Sequence, residues 1–180
     1  MSTAPTLART FAGDRDHSSF GFAVKHMSIN TFRGTFADVE ATVTQHDDGA
    51  LVVVGSAAVE SISVTSPADL RTHLLGPDFF DAVQHPRIAF ASAPAQPAVD
   101  GTIALPGELT IRNVTRPITA TGTWSGVVED PFGATRAALA LRAVIDRRDY
   151  GMTWNLPLPR GGDALGTDVE IVVALELVAS

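Results

Sequence analysis

Apolar and polar side chains alternate along most of this chain with a period of two. In the segment from residue 18 to residue 26, one face carries Ser18, Phe20, Phe22, Val24 and His26. Near the other end of the chain, one face carries Val169, Ile171, Val173, Leu175 and Leu177. A period of two places successive side chains on opposite faces of a β-strand, whereas a helix needs a period of 3.6. The pattern therefore predicts strands.

Turn-forming residues divide this pattern into about eight strands, because Gly, Pro and Asp favour tight turns. Asp47-Asp48-Gly49 and Asp130-Pro131-Phe132-Gly133 are two such boundaries. The predicted strands cover Ser18–His26, Thr35–Gln45, Leu51–Ser63, Arg87–Ala93, Thr102–Arg112, Arg116–Ser125, Thr135–Asp146 and Val169–Leu177. A single short stretch has helical spacing, and it begins at Ser66 or Pro67 and ends at Gly76-Pro77.

Many strands without alternating helices exclude a doubly wound α/β fold, so that a β-sandwich or a closed β-barrel remains. Several predicted strands are long, which favours a barrel. The fold class is therefore all-β: one extended antiparallel eight-stranded barrel with one short helix between strands. The interior of such a barrel is either filled with side chains or holds one small ligand. We expect residues 1–10 to be a flexible N-terminal segment and residues 11–180 to form the single domain.

Charge and composition limit the partners. The chain has 13 basic and 20 acidic residues, a formal net charge of −7, which disfavours binding to nucleic acid and to anionic membrane surfaces. No apolar run is long enough to span a bilayer. Cysteine is absent, which excludes disulfides and thiolate metal sites. The first residues lack the pattern of a secretory signal, so we expect a cytoplasmic protein.

Motifs for catalysis, metals and cofactors are missing. The five histidines show no metal-binding spacing, and there is neither a Gly-x-Ser-x-Gly nucleophile motif nor a glycine-rich phosphate loop. A lone histidine on an apolar strand face, such as His26, is usually a hydrogen-bonded core residue. We therefore expect no catalytic residues, no metal and no cofactor.

Aromatic and large apolar side chains are concentrated in the predicted strands and around the short helix. They are Phe20, Phe22, Phe36, Phe79, Phe80, Phe90, Trp124, Tyr150, Met152 and Trp154. These side chains either fill the core, as aromatic residues usually do, or line a tunnel for a chain-like lipid. Periodicity does not distinguish the two interpretations.

Four segments together resemble the YceI-like family. The first contains Asp14-Arg15-Asp16-His17-Ser18 and, further on, Phe22-Ala23-Val24-Lys25-His26, and it is similar to the family opening D-x-x-H-S…F-x-V-x-H. The second runs from Leu74 through Asp78-Phe79-Phe80-Asp81 to Phe90, and the third is Gly107 to Pro117, GELTIRNVTRP. The fourth combines DPFG at 130–133 with DRRDYGMTWN at 146–155, where the family has D-P-W-G and N-R-K-D-F-G-L-T-W-N. In order, the segments span about residues 11 to 178.

The resemblance implies a lipocalin-like barrel that binds a long isoprenoid chain, such as a polyprenyl or quinone-type tail, for carriage, storage or protection. The family is best known for periplasmic or secreted carriers and includes leaderless cytoplasmic members. No catalytic residues come with it.

The sequence departs from the family pattern at three positions. Arg71 stands where the family helix has an aspartate, His85 replaces a tyrosine, and Asn113 replaces a glycine. Any polar contact that depends on the aspartate is therefore absent here. Asn tolerates the left-handed backbone conformation better than most residues, so the turn at Asn113 is expected to survive.

These observations predict a set of ligand-binding residues. We expect the tunnel wall to contain Phe20, Phe22, Val24, His26, Phe79, Phe80, Phe90, Trp124 and Trp154, and we expect His73 to be a further ligand-binding residue. A diphosphate head group would favour a cluster of Arg71, Arg112 and Arg116, because guanidinium groups match phosphate oxygens. A neutral head group would need only donors such as Asn155 or Trp154. Each arginine also has the ordinary interpretation of a solvated surface residue.

Two other functions stay open at this point. One is an enzyme, such as an isomerase or hydrolase, that acts on an apolar substrate inside the barrel. The other is a filled barrel that serves as a stress-related interaction module. Strand edges of an incompletely closed barrel could also pair two chains into a homodimer.

Overall fold

A computed structural model describes residues 8–180 of the chain. Ten strands form one antiparallel sheet within these residues. They are β1 (Arg9–Gly13), β2 (Ser19–His26), β3 (Asn30–Phe36), β4 (Val39–Gln45), β5 (Leu51–Ala58), β6 (Arg87–Ser92), β7 (Thr102–Ile111), β8 (Val114–Glu129), β9 (Thr135–Asp146) and β10 (Leu165–Ala179). The helix α1 covers Ala68–Leu75, and two short 3₁₀ turns cover Val59–Ser61 and Arg147–Tyr150.

Eight of these strands close into a barrel. Their order is β1-β4-β5-β6-β7-β8-β9-β10, and β10 pairs back with β1. The predicted eight-stranded antiparallel barrel with one short helix is thus confirmed. The remaining pair, the β2–β3 hairpin, is an extension of the barrel wall: β2 pairs with the first part of β10, and β1 pairs with its last residues.

Two details differ from the strands predicted from the sequence. The predicted strand from residue 35 to residue 45 is broken at Ala37 and Asp38, so that Thr35 and Phe36 end β3 and β4 begins at Val39. Strand β1 begins at Arg9, where Arg9 pairs with Gln45. Arg9 and Thr10 of the predicted N-terminal segment belong to this strand, and residues 1–7 lie outside the described part of the chain.

Turn chemistry explains the β7–β8 hairpin. Ile111 pairs with Val114, so only Arg112 and Asn113 form the turn. Their φ angles are +53° and +58°, as a two-residue turn between right-handedly twisted strands requires. The expectation that Asn113 supports this turn is confirmed.

The helix α1 and the segments around it lie beside β3. The predicted helix is confirmed, with Pro67 immediately before its first residue and Gly76 immediately after its last. Arg71 fixes the helix to the preceding segment, since its guanidinium donates to the carbonyl oxygens of Glu60 at 2.7 Å and Ile62 at 2.9 Å.

The two ends of the barrel differ in packing. At the end that holds the β8–β9 turn, Phe11 and Leu177 are fully buried, and the rings of Phe11 and Trp124 meet edge to face at 5.7 Å. This end is filled. At the other end, where the β2–β3 hairpin and α1 lie, the apolar side chains surround a space.

Candidate functional site

A cavity of about 550 Å³ lies between the β2–β3 hairpin, the ends of β9 and β10, and α1. This volume falls within the range of small-molecule sites, about 300–1,000 Å³. Its apolar lining consists of Phe20, Phe22, Val24, Phe32, Phe36, Leu70, Leu74, Phe79, Phe80, Ile88, Ile111, Ile145, Met152, Trp154, Leu156, Ala164, Leu165, Val169 and Ile171. The cavity is therefore a largely apolar compartment.

Strand alternation accounts for much of this wall. Phe20, Phe22 and Val24 are every second residue of β2, and they lie opposite Phe36, Gly34 and Phe32 of β3. The ring of Phe22 lies directly over Gly34, because a Cβ at that glycine would meet the Phe22 ring at 2.5 Å. Glycine at position 34 thus makes room for an aromatic side chain in the wall.

Aromatic rings from three parts of the chain meet around the cavity. Phe80 follows α1, and its ring centroid lies 5.7 Å from that of Phe36 and 6.3 Å from that of Phe22. The ring centroid of Trp154 lies 4.7 Å from that of His73 and 5.5 Å from that of Phe79. These contacts connect the helix region to the hairpin and to the loop before β10.

A second, smaller cavity of about 80 Å³ lies deeper in the barrel. Phe20, Ile88 and Ile171 line both spaces, so the two cavities are neighbours on either side of these side chains. Phe90 lines only the deeper one.

Polar groups occupy a limited part of the lining of the larger cavity. They belong to His26, Asn30, Thr31, Arg33, His73 and Arg147. His73 Nε2 lies 3.0 Å from Asp78 Oδ2. Among residues 8–180, the lining of this cavity contains basic side chains but no carboxylate.

Arg147 is the buried charge of the site, with only 3% of its surface exposed. Its guanidinium donates to the carbonyl oxygens of Gly166 at 2.8 Å and Trp154 at 2.9 Å, and also to those of Met152 and Leu165. Burial lowers the pKa of Arg147 from its ordinary value, because an apolar surrounding disfavours the charged form. Through these hydrogen bonds, Arg147 holds the loop before β10 against the end of β9.

The structure brings together most of the aromatic residues predicted for the site. The predicted residues that line the larger cavity are Phe20, Phe22, Val24, His26, His73, Phe79, Phe80 and Trp154. His26 lies at the open end and is exposed, so it is not the buried core histidine that is usual for such a position. Phe90 belongs to the deeper cavity, and Trp124 belongs to the packed end.

The three arginines and Asn155 that were predicted to bind a head group lie outside the larger cavity. Arg112 donates to the carbonyl oxygen of Gly151 at 2.8 Å, and Arg116 donates to that of Asp149 at 3.3 Å. Arg71 holds α1, as described above. Asn155 bonds the backbone N–H and carbonyl of Leu165 at 2.9 and 2.7 Å. All four side chains fix loops to the barrel through backbone groups.

Sequence reasoning missed several residues of the wall. Phe32 on β3 could have been found, because Phe32, Gly34 and Phe36 follow the same period of two as Phe20, Phe22 and Val24 on β2. Leu70 lies on the predicted helix and was not assigned to the site. Arg147 had no signal that separates it from the other eleven arginines of the chain.

A cluster of titratable groups lies at the packed end, away from the cavity. Asp14, His17 and Glu176 converge there. Arg136 Nη1 lies 2.9 Å from Asp14 Oδ2 and 2.6 Å from Glu176 Oε1. A guanidinium therefore already neutralises the carboxylates that a metal ion would need.

Residues 8–180 contain no helix with the length and apolar character that crossing a bilayer requires. The candidate site is the cavity in the barrel beside the β2–β3 hairpin and α1. Its apolar wall and its few polar groups near the opening suit the binding of an elongated apolar molecule.

Comparison with known proteins agrees with this architecture. Protein YceI of Salmonella newport is 26% identical over 179 residues, covering 98% of this chain and 90% of that protein. A UPF0312 protein of Staphylococcus aureus is 27% identical over 172 residues, covering 94% of this chain and 98% of its own length.

Solved structures share the fold. The crystal structure of BcnA from Burkholderia cenocepacia superposes with a TM-score of 0.73 at 20% identity, covering 91% of this chain and 98% of that chain. A polyisoprenoid binding domain from Saccharophagus degradans superposes with a TM-score of 0.68 at 13% identity, covering 97% and 100%. The family model of the YceI-like domain matches residues 11–177, and the chain therefore belongs to the YceI-like family.

Proposed function

We propose that this protein binds a long-chain apolar lipid, such as a polyisoprenoid or an isoprenoid quinone, in the interior of its barrel, without catalysis. The observation that carries the proposal is the largely apolar cavity of about 550 Å³, with a second space of about 80 Å³ on the other side of Phe20 and Ile171. A largely apolar space of this size suits a flexible apolar chain. The roles that follow are carriage, storage or protection of the lipid.

Burial of the chain supplies the binding free energy. Each methylene removed from water contributes about 0.8 kcal/mol. Ten carbons thus contribute roughly 8 kcal/mol, against an association cost of at least about 4 kcal/mol. A short chain therefore binds weakly, and tight binding requires a longer chain that reaches the deeper cavity.

The open cavity also bears on the alternatives. A filled barrel that acts only as an interaction module needs no space of this size, so the cavity favours the lipid-binding function. An enzyme would need a reactive group at the ligand. In the lining, Arg147 donates to backbone carbonyls and the Asn30 side chain accepts from the N–H of Thr31, so these hydrogen bonds are directed to the backbone, while His73 is paired with Asp78.

The first experiment is native mass spectrometry of the freshly purified protein, followed by organic extraction of any released molecule. We expect an additional mass that corresponds to a prenyl or long-chain acyl lipid. A protein that is free of ligand and takes up no added geranylgeraniol would contradict the proposal.

A charge in the wall tests the cavity directly. Phe22→Arg is expected to weaken the uptake of a fluorescent prenyl probe by at least about tenfold, because a guanidinium loses its hydration among Phe32, Phe36 and Phe80. Titration of the probe into purified protein measures this effect. Phe132→Arg is the matched control, since Phe132 lies in the β8–β9 turn with 95% of its surface exposed.

A second variant covers the case in which Phe22→Arg does not fold. Leu70→Trp adds volume on the side of α1 that lines the cavity and introduces no charge. It is expected to reduce uptake while circular dichroism stays unchanged. Full uptake by both cavity variants would show that the probe binds elsewhere.

A cytoplasmic location stays a prediction from the sequence. Fractionation of cells that produce the protein, with detection in cytoplasm, periplasm and medium, measures it.

A further inference from the structure

The tip of the β2–β3 hairpin lies at the opening of the cavity. Met27 N donates to the carbonyl oxygen of Ala164 at 2.7 Å, and Ala164 N donates to that of Leu156 at 2.9 Å. Ala164 and Leu156 line the cavity, as do His26 and Asn30 at the two ends of the turn. The hairpin tip and the loop before β10 therefore form one edge of the opening.

This edge presents apolar side chains to solvent. Ile29 is 81% exposed, Leu156 is 54% exposed, and Met27 is also exposed. We call these three residues the rim. Exposed apolar residues are common when they are scattered singly, but a group of them marks a surface that contacts an apolar partner.

The backbone of the turn is unusual for these residue types. Met27 and Ser28 have φ angles of +50° and +59°, a region that residues other than glycine seldom adopt. Glycine at either position would relieve the strain but would supply no side chain. The chain thus keeps a large apolar side chain at Met27 in a conformation that disfavours it.

Charge is distributed unevenly around this edge. Residues 17–37 contain Lys25 and Arg33 but no aspartate or glutamate, so they carry a formal charge of +2 while the remainder of the chain carries −9. The adjoining segment 156–168 adds Arg160, Asp163 and Asp168. The two segments together have a net charge of +1, in contrast to −7 for the whole chain.

We propose that the rim docks this protein on the surface of an anionic phospholipid bilayer, with the opening of the cavity against the lipid. Apolar side chains flanked by basic residues are the combination that binds such an interface. The proposal rests on the lipid-binding function, because docking at this edge lets a chain pass between bilayer and cavity without crossing water. The net charge of the molecule repels the same surface, which makes the contact reversible and directs it to this end.

Vesicle flotation tests the docking without any ligand in the cavity. The probes are vesicles of phosphatidylglycerol mixed with phosphatidylcholine, and vesicles of phosphatidylcholine alone, both at low salt. We expect the wild-type protein to float with the anionic vesicles and much less with the neutral ones, and we expect added salt to weaken the binding.

Variants locate the contact on the surface. Ile29→Glu and Leu156→Glu are each expected to lower the bound fraction by at least about threefold, since an exposed apolar contact is replaced by a repelled charge. Lys25→Glu is expected to lower binding to the anionic vesicles. Phe132→Glu is the matched control: it makes the same change in charge at an exposed apolar residue at the opposite end of the barrel, and it should leave binding almost unchanged.

Three outcomes would overturn the proposal. They are a wild-type protein that does not float with anionic vesicles, rim and Phe132 variants that float equally, and self-association of the wild type that Ile29→Glu abolishes while no vesicle is bound. The last outcome would assign the rim to a second copy of this chain.

A separate assay keeps the docking and the lipid-binding function apart. Geranylgeraniol delivered from ethanol, with no vesicles present, reports uptake alone. Ile29→Glu is expected to retain this uptake, because Ile29 is not part of the cavity lining. A protein that takes up geranylgeraniol but does not bind vesicles would contradict the docking only, and one that binds vesicles but takes up nothing would contradict the lipid-binding function only.

Discussion

Tyr150 places a hydroxyl group in an apolar, buried position. Its side chain is 2% exposed and packs within the apolar core. Its hydroxyl has no hydrogen-bond partner among residues 8–180. The similar segment of the YceI-like family has phenylalanine at this position. A buried hydroxyl without a partner destabilises the folded state by about 1–3 kcal/mol.

Removal of this hydroxyl should therefore stabilise the protein. We expect Tyr150→Phe to raise the free energy of unfolding by about 1 kcal/mol, because the ring keeps its packing and the unpaired donor disappears. Urea denaturation measures the change. Tyr150→Leu serves as the control for packing and is expected to lower stability; a loss of stability in Tyr150→Phe would show that the hydroxyl has a partner in solution.

Tyr150 also makes the stability of the fold depend on pH in the alkaline range. Burial raises the pKa of Tyr150 to about 12 from an ordinary value of 10, because the phenolate is disfavoured in an apolar surrounding. Because the pKa is higher in the folded state, the free energy of unfolding is at its full value below pH 10 and decreases as the pH rises through about 12. Tyr150 is the only tyrosine of the chain, so absorbance of tyrosinate against pH reports this group alone.

Arg136 on β9 joins elements from both ends of the chain at the packed end of the barrel. Its guanidinium contacts Asp14, which follows β1, as well as Glu176 on β10 and Asp130 before β9 at 2.8 Å. The hydrogen bond from Arg136, assisted by His17, lowers the pKa of Asp14 to about 2. Without Arg136, three carboxylates would face one another.

We expect Arg136→Met to lower the melting temperature most near neutral pH. The lowered pKa of Asp14 means that its stabilisation is present above pH 3.8 and is lost as the pH falls through about 2. The melting temperatures of variant and wild type should therefore converge in that range. Arg142→Met is the control on the same strand, because Arg142 pairs with Glu170 on the surface and exposed ion pairs contribute little. Equal losses in the two variants would contradict the role of Arg136.

The strand β2 shows what a sequence can reveal at the scale of an element. Its alternation placed Phe20, Phe22 and Val24 on one face, and the structure has all three in the cavity wall. The arginines show the limit. A long guanidinium reaches any carbonyl within several ångströms, so the position of Arg112 or Arg147 along the chain does not reveal whether the side chain faces the cavity or a loop.

The sequence prediction missed the break between β3 and β4 for a different reason than it misplaced the arginines. The apolar positions shift from even numbers, Phe32 and Phe36, to odd numbers, Val39 and Val43, across Ala37 and Asp38, which marks a break but not its geometry. The bend depends on a partner that is distant in sequence: Ala37 N donates to the carbonyl oxygen of Ser61 and Ser63 N donates to that of Thr35. A local pattern contains no information about such a partner.

The whole molecule combines a packed half with a hollow half. Large side chains such as Phe11 and Leu139 fill one end of the barrel, whereas the wall at the other end encloses the cavity. A fold of this kind loses apolar contacts wherever the cavity is empty, because a space without atoms offers its lining no partners. A bound chain restores those contacts.

Ligand binding should accordingly raise the melting temperature. At a free ligand concentration one hundred times Kd, mass action stabilises the folded state by about 2.7 kcal/mol. For a domain of this size that corresponds to an increase of roughly 5–10 °C. Differential scanning fluorimetry of solvent-extracted protein with and without geranylgeraniol measures it. Leu70→Trp is expected to show a smaller increase, and an extracted protein whose melting temperature does not respond would contradict occupancy of the cavity.

The strand β10 determines when the barrel can close during synthesis of the chain. The pairing of β1 with the end of β10 closes the barrel, and the hairpin β2–β3 attaches to the beginning of the same strand. A chain that is still emerging from the ribosome therefore holds several apolar strand edges without their partner until β10 has been synthesised. Closure must follow translation of this strand, and contacts between such distant segments form slowly. Until β10 is available, the unpaired strand edges and exposed apolar surface make the nascent chain prone to aggregation.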